Sequence, residues 1–148
     1  MNRLFFGGVL AIVLLGLYLY ALAIALGKAL SCSDIAKGCP LDDGVALLLQ
    51  TLGALVAAVV VSELSVTAPN EAPGTRIANA VGTPTARQQT TVKSLTALYI
   101  FAWVISGLAL IVVGWIQHPG VPQVVSAAKE WLGFGIGAAY AYFGVSRP

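Results

Sequence analysis

Few side chains in this sequence could do chemistry, and the two cysteines are the best placed of them. Cys32 and Cys39 enclose six residues. That spacing suits a disulfide, for which chain-entropy bookkeeping gives about 2–3 kcal/mol. It is not the Cys-x-x-Cys spacing of a redox centre. A zinc site would need two further thiols or imidazoles nearby. Three acids, Asp34, Asp42 and Asp43, share the same segment. Without further oxygen ligands they are a poor calcium signal. Asp42 or Asp43 is expected instead to cap the following helix and favour its dipole. The single histidine, His118, precedes Pro119 and Gly120 in an obvious turn. A Ser/His/Asp set and a bis-histidine haem anchor both lack their parts. Gly133, Gly135 and Gly137 do not make a nucleotide-binding glycine loop. No catalytic residue, metal or cofactor is expected, and the chain reads as a non-enzyme.

The remaining polar groups matter because of where they stand. Gln50 is strongly polar inside an apolar run, so its amide needs a partner. An interhelical hydrogen bond to Ser106 or a tyrosine is expected, with the lining of a narrow polar path as the alternative. Glu63 is expected at the inner interface, paired with Lys93 or Arg87; a gating or coupling role is the alternative. Lys129 and Glu130 are expected near the outer end of the last helix, with Lys129 snorkelling to the headgroups. A proton relay needs a carboxylate well inside a span, and by sequence Glu63 comes nearest.

The elements that must position these residues are apolar. Four blocks, residues 4–27, 44–62, 94–117 and 131–146, carry no ionisable side chain. A helix needs about 20 apolar residues to cross a bilayer. The chain is 58% hydrophobic and 9% charged, with a mean hydropathy of +0.87; ordinary soluble domains are about 25% charged. The expected fold is an all-α integral membrane protein, a four-transmembrane-helix bundle with short loops. Its spans are about 4–27, 44–64, 94–117 and 122–146, in one membrane domain covering 1–148. The fourth depends on Pro122 as a first helical residue; three spans with a re-entrant fourth segment is the alternative. The first block is too long for a signal peptide's apolar region and reads as a retained signal-anchor. Residues 28–43 form an outer loop. Residues 67–93 form a polar cytoplasmic loop with one short amphipathic turn at 77–81. Trp115 and Trp131 are expected as outer interface anchors, and Trp103 as core packing.

Arg3, Arg76, Arg87, Lys93 and Arg147 fall on one side of such a bundle, and Lys28, Lys37 and Lys129 on the other. The positive-inside rule then puts both termini in the cytoplasm and both cysteines in the oxidising loop. The expected location is a bacterial-type cytoplasmic (inner) membrane. With net charge +2 and no basic cluster, nucleic acid is not an expected partner.

The spans are rich in small residues at helical spacing. Gly133, Gly137 and Ala141 share one face, Gly53 and Ala57 lie on a stripe with Gln50, and Ala102, Ser106 and Ala109 on another. Such faces permit close helix approach, either inside the bundle or against another membrane protein. The four uncharged blocks contain no proline, so broken-helix transport is not suggested. The functional expectation is a small non-enzymatic membrane protein acting through helix packing, as a homo-oligomer or accessory subunit. A pore-forming lysis or defence effector, or a carrier for an uncharged solute, is the alternative.

Overall fold

A computed structural model describes residues 3–66 and 86–144. Every described element is helical. The order is α1 (Arg3–Ser31), α2 (Asp43–Val66), α3 (Ala86–Ala109, continued by the π-helical Leu110–Gln117) and α4 (Pro122–Gly144). Three helical stretches are long and apolar enough to cross a membrane: Gly7–Ser31, Asp43–Val61 and Thr90–Gln117. The expected turn at 77–81 and the side chains of Glu63 and Ala141 lie outside the described residues. Helix α3 begins at Ala86, eight residues before the uncharged block does. The polar run there contains no proline or glycine to stop it.

The burial pattern is that of helices presenting one stripe to each other. On α1, Leu15, Tyr18, Leu22, Ala25 and Ala29 are buried; on α2, Leu49, Leu52, Val56 and Val60. Both sets follow the three-and-four spacing of a single helical face. The opposite faces are no less apolar: Leu10, Ile12, Leu47, Phe101 and Ile116 are each more than half exposed. A water-soluble bundle would carry polar residues there, whereas lipid tolerates hydrophobic residues all round.

In a lipid environment helices have little hydrophobic reason to associate, and close packing and hydrogen bonds would hold them. The Tyr18 hydroxyl and Ser106 Oγ lie 2.9 Å apart in the interior, and Ser106 Oγ donates to the Trp103 carbonyl at 2.9 Å. Tyr18 therefore donates to Ser106. The same carbonyl accepts the Trp131 indole N–H at 3.1 Å. One short network thus ties α1, α3 and α4 together, and Tyr99 adds a bond from α3 to the Ala11 carbonyl of α1. Tyr18→Phe should lower stability by about 1 kcal/mol, read as a lower unfolding temperature in mild detergent with unchanged helix content.

At the end of the bundle where α1 meets α2, Cys32 and Cys39 form a disulfide, with Cα atoms 5.9 Å apart. The loop it closes rests on the turn between α3 and α4. The Cys39 N–H donates to the Gly120 carbonyl at 2.8 Å, and the Leu41 N–H to Gln123 Oε1 at 3.2 Å. Gly120 lies so close to the disulfide that a Cβ there would stand 2.7 Å from Cys32 Sγ. Beneath this lid, Ala25, Ala29, Val121, Val124 and Ala128 are fully buried.

Candidate functional site

Helix α4 packs chiefly along α2 and on the π-helical end of α3. Pro122 opens it in the position expected, where a missing N–H costs nothing. Its faces then diverge. Lys129 extends outward and holds its ammonium 5.5 Å from the Trp115 ring centroid, as a snorkelling lysine would. Ala127, Glu130, Trp131 and Phe134, spaced three and four apart, turn to the other side. There they meet Gln50, Gly53 and Ala54 of α2, Tyr18 of α1, and Trp103 and Leu110 of α3 around a cleft. The cleft is shallow and opens to the molecular surface; its enclosed space is about 20 Å³, room for about one water molecule.

Two polar side chains with uncommitted oxygen atoms line it. Glu130 is eight residues past Pro122, roughly 12 Å along the axis at 1.5 Å per residue. Gln50 is seven residues past Asp43, roughly 10 Å along α2. The two groups therefore lie at a similar height from the helix starts at Asp43 and Pro122. Among the described residues, neither makes a hydrogen bond or ion pair. The Gln50–Ser106 bond expected from the sequence is not formed. Tyr18 and the Trp103 carbonyl take the Ser106 hydroxyl, and Gln50 is left facing the cleft. The tyrosine partner foreseen for Gln50 belongs to Ser106.

Trp131 also departs from its expected place as an outer anchor. Its ring lies against Trp103, midway along α3, with centroids 5.0 Å apart and planes tilted by 42°. This is possible because Gly107 lacks a side chain: a Cβ built there would fall inside the indole. Its N–H is spent on the Trp103 carbonyl, so the ring serves the cleft as an apolar and π-electron wall.

The small residues divide into two groups. Ala57 is buried and Gly53 packs on Tyr18, where a Cβ would stand 3.5 Å from the ring. Gly133 and Gly137 are exposed, with nothing within 4 Å of where a Cβ would be. Among the described residues, none packs against this part of α4. In the loop between α1 and α2, Asp34 makes a local turn, accepting the Lys37 N–H at 3.3 Å and pairing with its ammonium at 3.6 Å. Among the described residues no three His, Cys, Asp or Glu side chains come together in a way that could hold a metal ion.

Charge counting along the chain did not mark Glu130 as a cleft residue. The usable signal was helical phase, since Ala127, Glu130, Trp131 and Phe134 share one face once Pro122 sets the start. No protein-family model matches the chain, and no curated protein or solved structure is similar to it.

Proposed function

We propose that the chain is a four-span protein of a bacterial-type cytoplasmic membrane, with both termini in the cytoplasm, and that it works as a non-enzymatic subunit. It docks laterally through α4, against a second copy or another membrane protein. The observation that carries this reading is the uncovered Gly133 and Gly137 face. A glycine inside a helix costs about 1 kcal/mol relative to alanine. The bundle's own crossings gain nothing from these two, whereas a neighbouring helix could approach their backbone closely. The fully buried layer at Ala25, Ala29, Val121, Val124 and Ala128 supports a docking subunit over a pore through a single chain.

The test is chemical crosslinking in native membranes, followed by sizing in mild detergent. Wild-type protein should run as a complex. Gly133→Leu with Gly137→Leu should release the 15.3 kDa chain while its disulfide and helix content persist. A wild-type chain that never crosslinks to a membrane partner would refute the docking role.

A further inference from the structure

Given the lateral docking in a membrane proposed above, on which this rests, we infer that the partner is a second copy of the chain. The two copies are related by a two-fold axis parallel to the helices, with Gln50 of each hydrogen-bonded to Glu130 of the other. Gln50 is the residue that demands a partner. Helix α2 is apolar enough to cross a membrane over Asp43–Val61. Gln50 stands seven residues into that stretch, and its side chain is exposed. In hydrocarbon an amide without a hydrogen bond is costly. Among the described residues, none bonds to it. The adjoining cleft has room for about one water molecule, so a surface laid against it, not a ligand within it, completes the amide.

The exposed face beside the cleft repeats the same heights on two helices. Helices α2 and α4 start at the same end of the bundle, where the Leu41 N–H reaches Gln123, and they pack side by side. Gln50, Ala54 and Ala58 stand seven, eleven and fifteen residues past Asp43. Glu130, Gly133 and Gly137 stand eight, eleven and fifteen residues past Pro122. All six are exposed. At 1.5 Å per residue, each matched pair agrees in height within about 2 Å. A two-fold axis parallel to the helices keeps every height and exchanges left for right. Helix α2 of one copy then faces α4 of the other, and each contact is made twice. Gln50 meets the partner's Glu130, Ala54 the partner's Gly133, and Ala58 the partner's Gly137. The amide N–H donates to the carboxylate, a charge-assisted bond. The two carboxylates stand diagonally, not face to face. Alanine against glycine lets the helices approach closely. This self-complementarity selects a second copy. An unrelated protein would have to supply a donor, an acceptor and two gaps at the same spacing, and this chain already carries them.

The experiment co-expresses two full-length copies with different tags, one carrying Gln50→Cys and the other Glu130→Cys. A short bis-maleimide is applied to the membranes. The native cysteines are paired, so the engineered thiols react. A product bearing both tags is expected, in clear excess over a control that joins Gln50→Cys with Ile24→Cys, an exposed position on α1. Association of tagged chains in mild detergent gives a second reading without engineered thiols. Gln50→Glu sets carboxylate against carboxylate and should weaken association about ten-fold. Adding Glu130→Gln restores the pair with its ends exchanged, and should bring association back to within about two-fold of wild type. Three results would overturn the pairing: tagged chains that co-purify without crosslinking above the control, a double variant as weak as Gln50→Glu, or wild-type chains that never co-purify while each crosslinks to a different membrane protein. The last would leave lateral docking standing. A chain that crosslinks to no membrane partner would overturn both.

Discussion

Gly107→Ala should destabilise the protein by about 1–3 kcal/mol net, although alanine is the better helix former. Two effects oppose each other at this position. Replacing a mid-helix glycine by alanine ordinarily gains about 1 kcal/mol. Here the added methyl would occupy space that the Trp131 indole already fills. Tryptophan cannot yield by a small rotation without leaving the Trp103 carbonyl, to which its N–H is bonded at 3.1 Å. It would also leave the Trp103 ring, 5.0 Å away. Overpacking of this kind costs about 1–3 kcal/mol, and the lost hydrogen bond about 1 kcal/mol more. The steric effect therefore wins. Thermal unfolding in mild detergent reads the loss, and a double-mutant cycle identifies its cause. In a Trp131→Ala background, Gly107→Ala should become neutral or stabilising, because the clash has gone. An equal loss in both backgrounds would place the cost elsewhere than in the indole.

That contact also shows how far the sequence could be read. The helices were legible because lipid imposes a crude rule: blocks without charge, about as long as a bilayer is thick, become helices. The start of α4 was legible too, since Pro122 has one favourable place in a helix. The disulfide followed from spacing and from the side of the membrane its loop was expected to face. Tertiary register was not legible. Lys129 and Glu130 are neighbours in sequence, so about 100° separates them around the helix. One therefore reaches Trp115 while the other lines the cleft. Nothing local announces the π-helical end of α3 either. There Gly114 lets Val124 approach, and the His118 N–H reaches back to the Val113 carbonyl at 2.9 Å. The partner of Ser106 depended on which tyrosine α1 would bring across the bundle, a matter of packing between distant segments.

Replacing both Cys32 and Cys39 by serine should cost about 2–3 kcal/mol, the loop-closure entropy expected for so short a link. The structure adds a reason for the effect to spread beyond the loop. The disulfide is the surface on which Gly120 rests, and the Cys39 N–H holds the Gly120 carbonyl. Freeing the link loosens the α1–α2 loop and the α3–α4 turn together. The exposed Asp34–Lys37 pair cannot compensate, because surface pairs contribute little. The expected result is a lower unfolding temperature with helix content unchanged. Amide exchange should rise at position 39 and at Leu41, whose N–H groups bridge to the turn. Gln123→Ala, which removes one bridge and leaves the disulfide, should speed exchange at Leu41 and cost less than the double serine variant. The same bond reports sidedness. With both termini cytoplasmic, a membrane-impermeant maleimide applied to intact cells should label these cysteines only after reduction. Labelling without reduction would mean two free thiols. Labelling confined to inverted vesicles would turn the bundle over, and would place the cysteines where a disulfide does not persist.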